Sequence, residues 1–145
     1  STGVTEELPG KNNDQSLDQT IHALRQNTRG LVFSNLVDFD MLYGHRRDVE
    51  GYARALEHFD ARLPEIEAAL RDTDLLIITA DHGNDPTFRG TDHTRERVPL
   101  LVVEGEAGGE PRDLGVREGF WDVGATVAGW FGVEPGGLPG RSFFS

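Results

Sequence analysis

The chain has 145 residues, of which 37% are hydrophobic and 27% charged, the balance of one soluble globular domain with a real core rather than of a disordered segment. Its net charge of −11 argues against a general nucleic-acid or anionic-membrane surface, since both need a basic face. It has no cysteine, so disulfides and thiolate metal sites are excluded, and any metal falls to Asp, Glu and His.

No apolar run approaches the roughly 18–20 residues of a membrane span, and no secretory signal is visible, so a cytoplasmic protein is the default expectation. The first stretch reads as an interior rather than a natural start. Ser1 is not a methionine, and the chain is polar and turn-rich through Asp14, with Pro9-Gly10-Lys11-Asn12-Asn13 at its centre. Leu17, Ile21 and Leu24 then have helical spacing, with Ser16 or Asp14 as the expected cap. After Gly30, residues Leu31 to Val37 form an apolar run expected to be a strand, and Asp38-Phe39-Asp40 follows directly.

The longest helical signal covers residues 49–71. Val49, Tyr52, Ala53, Leu56 and Phe59 make an apolar stripe that Leu63, Ile66, Ala69 and Leu70 continue. Pro64 interrupts it, and a break or kink near Leu63, with a short second helix to Arg71, is expected because an interior proline costs about 3 kcal/mol. His58, beside the stripe, reads as a partly exposed structural histidine. Asp74 to Ala80 is the next strand, and a helix of this length between two strands predicts a parallel pair with a right-handed crossover. Val98 to Val103 is a third strand, with Pro99 at its start or on an edge. Gly105 to Arg112 reads as a surface loop. A C-terminal helix follows from Asp122, a cap or first-turn acid, to a stop at Gly132, with Trp130 and Phe131 expected in the core.

Two strand ends carry the chemistry. Asp81 and His82 follow the apolar run Leu75-Leu76-Ile77-Ile78, and His93 returns after the loop. Asp40 and His45 follow the earlier run in the same order, five residues apart, slightly over one helical turn, and on a short helical or looped segment they can converge on one ion. For Asp38 and Asp40 a helix cap with a first-turn acid is an equal alternative. Asp40, His45, Asp81, His82 and His93 are more ligands than one ion needs. Two ions a few ångströms apart use them naturally, and two-metal sites clamp both oxygens of a phosphoryl transfer. The ligand types suit manganese or zinc without separating them. Arg46, Arg47, Arg89 and Arg95 lie near these ligands in sequence and suit a phosphate ester. For Arg46 and Arg47, flanked by Asp48 and Glu50, plain surface ion pairing is the alternative.

The run Asn35 to Asp48, ending in Gly44-His45-Arg46-Arg47-Asp48, closely resembles a signature of phosphopentomutases. So do Ala80-Asp81-His82-Gly83-Asn84-Asp85-Pro86-Thr87, Gly90-Thr91-Asp92-His93-Thr94-Arg95-Glu96 and Asp122-Val123-Gly124-Ala125-Thr126-Val127. The Asp-His-Gly-Asn element alone is shared across the alkaline phosphatase superfamily. The resemblance implies an α/β fold with a largely parallel sheet flanked by helices, an alkaline-phosphatase-like core. It implies two divalent ions, manganese, with Asp40, His45 and His93 on one and Asp81 and His82 on the other. The implied reaction interconverts ribose 1-phosphate and ribose 5-phosphate, or the deoxyribose analogues, through a phosphothreonine and a sugar bisphosphate intermediate, with a sugar bisphosphate as activator. From their place beside the ligands, Arg46 and Arg47 are the expected substrate contacts, with a small sugar phosphate as the expected partner and no nucleic acid or membrane.

Members of that family are far longer. Residues 1–145 then correspond to a single partial domain, the C-terminal portion of the core. A further metal-binding aspartate, the nucleophilic threonine and a cap domain are expected in an N-terminal part of the same protein. Thr79, Thr87, Thr91 and Thr94 lie near the motifs, but none has the nucleophile's context. The isolated chain is therefore expected to be inactive. The alternatives are another phosphatase of the superfamily, a cofactor-independent phosphoglycerate mutase, or a non-catalytic metal-binding module.

Overall fold

Asn12 opens the first helix. Its side chain accepts from the Gln15 backbone N–H at 2.9 Å, so the cap lies before Asp14 and Ser16, the residues expected to supply it. The computed structural model describes residues 3–26, 29–105, 111–134, 136–137 and 139–144. The chain divides into two compact units, Ser1–Ala107 and Gly108–Ser145.

In the first unit, α1 spans Asn13–Arg25 and α2 spans Val49–Glu67. Leu17 and Ile21 of α1 and Ile66 of α2 are buried together, with Leu24, Leu36, Phe59, Leu63, Ala69 and Leu76 packed around them. Polar contacts stitch the same helices outside this core. Arg62 donates to Asp18 and Glu65, and His58 meets Asp14 at 2.5 Å, the structural role expected of that histidine. The break expected at Pro64 does not occur, and α2 runs through it. Pro64 lies in the last turn, so its missing N–H removes one helical bond only. Its carbonyl still accepts from Ala68 at 2.9 Å, and Ile66 two residues on anchors the turn in the core. The helix ends at Glu67 rather than at Arg71.

The sheet differs most from expectation. β1 (Leu75–Thr79) pairs with β2 (Leu100–Glu104) antiparallel, Ile77 opposite Val102. No parallel pair forms among the described residues. The expected strand at 31–37 has no ladder partner among the described residues, and Phe33 there is 85% exposed. Strand hydrogen bonds need a neighbour, and β1 and β2 satisfy only each other. Pro99 sits just before β2, where its carbonyl accepts from the Thr79 hydroxyl at 2.9 Å. Because β1 and β2 form one ladder, residues 80–99 double back as a long loop at its end.

In the second unit, α3 spans Trp121–Trp130. Asp122 is buried in its first turn and accepts from the Arg141 backbone N–H at 2.9 Å. Gly132 has φ +67°, and paired bonds from Gly132 N–H to Gly129 O and Val133 N–H to Ala128 O close the helix as a glycine stop. Trp130 and Phe131, expected in the core, are 40% and 45% exposed. Ala125, Thr126 and Phe143 are buried instead. The loop read over Gly105 to Arg112 lies mostly outside the described residues.

Candidate metal centre

Between the apolar run and α2 the backbone winds as a π-helix over Phe39–Gly44, closed by His45 N–H on Asp40 O at 2.9 Å. Such wider turns are rare and concentrate at functional sites. Here the consequence is geometric. Residues five apart, which an α-helix would rotate away from each other, come into register. Asp40 Oδ2 lies 3.3 Å from His45 Nε2.

His93 arrives from the loop between β1 and β2. An antiparallel bridge between Gly83 and Thr94, with Thr94 N–H on Gly83 O at 3.0 Å, folds that loop back on itself. A β-carbon at Gly83 would lie 2.8 Å from Thr94 O and 2.9 Å from Glu96 N, so the bridge needs glycine there. His93 Nε2 then stands 3.3 Å from Asp40 Oδ1 and 3.2 Å from His45 Nε2. The ligand atoms of Asp40, His45 and His93 all lie within 4.8 Å of one another.

These separations suit a shared cation. Ligands bound at about 2.0–2.2 Å in tetrahedral or octahedral geometry stand about 3.0–3.4 Å apart. Tautomer supports the same use. His45 Nδ1 is 2.5 Å from Thr91 O, an acceptor that needs the proton on Nδ1 and leaves Nε2 as a lone pair. Two imidazole nitrogens 3.2 Å apart need a proton or a metal cation between them, and Asp40 supplies the charge to hold one. Two nitrogens and a carboxylate are a fitting donor set for a divalent first-row ion.

His82 continues the cluster. Its ring stacks on His93 with centroids 3.7 Å apart and 21° between planes. Its Nδ1 is 3.2 Å from Gly83 O, and its Nε2 is 3.6 Å from Asp81 Oδ1. The Asp81 side chain is 88% exposed. Asp81 and His82 thus form a neighbouring acid–imidazole pair, joined to the first group through stacked imidazoles. Among the described residues the Asp40, His45 and His93 set is the one group of three or more ligands this close.

The arginines divide. Arg46 is exposed and has no hydrogen bond or ion pair among the described residues. The Arg47 guanidinium is spent on the loop. Nε donates to Gly90 O, Nη1 to Asn84 Oδ1 at 3.0 Å and Asp85 O at 2.8 Å, and Nη2 to Asp92 O at 2.8 Å. Asp38 is likewise committed elsewhere. Its carboxylate accepts from Asn13 N–H at 2.8 Å, and its own N–H donates to Asn13 Oδ1 at 3.0 Å. The Thr87 hydroxyl and amide close a turn on Asp85 and hold its carboxyl below the usual range. Burial and the neighbouring Asp40 charge raise the Tyr52 pKa, so its hydroxyl stays protonated beside the site.

Asn84 escaped the sequence reading as an individual contributor, although it lies in the quoted Asp-His-Gly-Asn run. Its Nδ2 donates to Asp40 Oδ1 at 2.5 Å. Gly44 was equally silent. It packs against the Asn84 amide, and a β-carbon there would lie 2.6 Å from Asn84 Cγ. The signal available was only the glycine one residue before a candidate ligand.

Residues 1–135 match the family model of the Metalloenzyme superfamily. The chain is 56% identical over 133 residues to the phosphopentomutase of Caldanaerobacter subterraneus subsp. tengcongensis, covering 92% of this chain and 34% of that protein. It is 55% identical over 141 residues to the phosphopentomutase of Desulfitobacterium hafniense, with 97% and 36% covered. It is 58% identical over 139 residues to that of a Methylobacterium species, with 94% and 33% covered. The chain therefore spans about a third of the length of the curated relatives it matches.

Proposed function

The chain belongs to the Metalloenzyme superfamily, and we propose that it supplies the metal-holding segment of a phosphopentomutase. The reaction is interconversion of ribose 1-phosphate and ribose 5-phosphate, or their deoxyribose analogues. The observation that carries the proposal is the mutual 3.2–3.3 Å spacing of Asp40, His45 and His93, whose sequence contexts are those of the phosphopentomutase-like motifs. Asp40, His45 and His93 hold one divalent ion, and Asp81 and His82 contribute to a second. Manganese is the proposed metal. Bound divalent ions stabilise charge on the oxygens of a transferring phosphoryl group.

The chain's own residues orient this centre. Asn84 fixes the Asp40 carboxylate, and the Thr91 carbonyl sets the His45 tautomer. Arg46, exposed and next to His45, is the proposed contact for the sugar phosphate. The nucleophilic threonine is proposed to come from the part of the protein that corresponds to the remaining two thirds of the relatives. The exposed apolar run at 31–33 suits pairing with a strand from that part, within a larger parallel sheet of alkaline-phosphatase type. A cytoplasmic setting fits such a metabolic role, and among the described residues no helix is long and apolar enough to cross a membrane.

A specific observation favours a second reading of the chain by itself. The Asp81–His82 group has two ligands and a highly exposed carboxylate, so the 145 residues alone take up metal without turnover.

The test is a chimera in which this chain replaces the matched third of the Caldanaerobacter protein, assayed with manganese and a sugar bisphosphate activator. Ribose phosphate interconversion that disappears with Asp40→Asn is the expected result. A chimera that melts cooperatively and binds manganese yet does not interconvert the esters, or one whose interconversion survives Asp40→Asn, overturns the proposal.

A further inference from the structure

The loop that carries His93 to the other two ligands is held by one side chain. Arg47 stands at the C-terminal side of the π-helical turn with φ +57°, a left-handed conformation that costs a non-glycine residue roughly 1–2 kcal/mol. That conformation turns its side chain onto the 84–92 loop. Three of its four hydrogen bonds go to backbone carbonyls, those of Asp85, Gly90 and Asp92. The fourth reaches Asn84 Oδ1, whose amide nitrogen donates in turn to Asp40 Oδ1. The carbonyl between two of those anchors, Thr91 O, faces His45 Nδ1. One planar cation thus links the segment bearing Asp40 and His45 to the loop bearing His93.

We infer that Arg47 is the positioning residue of the metal centre, its guanidinium bracing the 84–92 loop so that His93 meets Asp40 and His45 with the carboxylate already oriented. The inference rests on the metal-centre reading above and gives Arg47 a task other than substrate contact. A lysine cannot replace it, because an ammonium is a point charge and lacks the planar fork that reaches four acceptors at once. Glycine cannot either, although it removes the backbone strain.

The experiment uses the 145-residue chain as wild type, Arg47→Ala, Arg47→Lys and Arg47→Gly, with two readouts. The first needs no metal. Hydrogen exchange is followed at the Thr94 and Asp85 amides, which bond Gly83 O and Thr94 Oγ1. The β1–β2 amides report whether the fold is intact. Exchange at Thr94 and Asp85 rises about tenfold or more in all three variants, with β1 and β2 unchanged, and methylguanidine added to Arg47→Ala restores protection. The second readout is manganese affinity by calorimetry, which falls about 10–100-fold in each variant and recovers with methylguanidine.

Wild-type protection in Arg47→Ala overturns the inference whether or not metal binds, and so does full recovery in Arg47→Gly, which would make the backbone conformation the whole role. A wild-type chain that takes up no divalent ion sinks the metal reading instead, and the exchange data still decide the role of Arg47 in bracing the loop.

Discussion

Replacing Gly44 by alanine sets two physical effects against each other. Helix propensity alone favours alanine by roughly 0.5–1 kcal/mol. The structure opposes it. The added methyl would stand 2.6 Å from Asn84 Cγ and 3.0 Å from its Oδ1, and closer still to Nδ2. The amide has nowhere to retreat, because it donates to Asp40 at one end and accepts from Arg47 at the other. Each of those bonds involves a charged group and is worth about 1.5–3 kcal/mol. Bending both to about half their worth costs about 1.5–3 kcal/mol, which outweighs the propensity gain and leaves a net destabilisation of about 0.5–2.5 kcal/mol. With Asp40 no longer oriented, manganese affinity falls about 10–100-fold. Thermal melts followed by circular dichroism and calorimetric titration of the metal-free chain measure the two quantities. A Gly44→Ala chain that melts at or above the wild-type temperature and binds manganese as tightly refutes the reasoning.

Four further outcomes follow from particular contacts. Asp40→Asn keeps the shape but removes the charge between two imidazoles, and calorimetry will find manganese uptake weakened at least about 100-fold. The Arg71 guanidinium and backbone amide hold the Asp74 carboxyl below its usual range. Its contribution is therefore full above the unfolded value and lost as pH falls below about 4 through the folded one. Denaturant melts from pH 6 to 2 will show a steeper acid loss in wild type than in Asp74→Asn. Asn12→Ala removes the α1 cap and lowers stability by about 1 kcal/mol in urea unfolding. Thr126→Val leaves the buried Phe143 N–H without its acceptor, costing about 1–3 kcal/mol, with faster exchange at that amide as the specific sign.

Much of the candidate site was legible because ligand chemistry is a property of residue type. Without cysteine, the metal-binding groups reduce to acids and imidazoles, and Asp40, His45, Asp81, His82 and His93 stand out beside apolar runs. The two helices were legible for a related reason. The spacing of Leu17, Ile21 and Leu24, and of Val49 through Phe59, is local information, as is the short apolar run that becomes β1. Direction and partnership were not. Whether Ile77 pairs with Val102 or with a residue of the 31–37 run depends on which backbone comes near, and no side-chain pattern within either strand records it.

The same holds inside the centre. Asp40 and His45 meet because the backbone takes five residues per hydrogen-bonded ring there, and Arg47 reaches the loop because it accepts a left-handed φ. Residue identity by itself determined which atoms can bind a cation. Only the tertiary structure decided which of them lie close enough to share one, because that depends on hydrogen bonds from Arg47 and Asn84 to partners some 37–45 positions away along the chain.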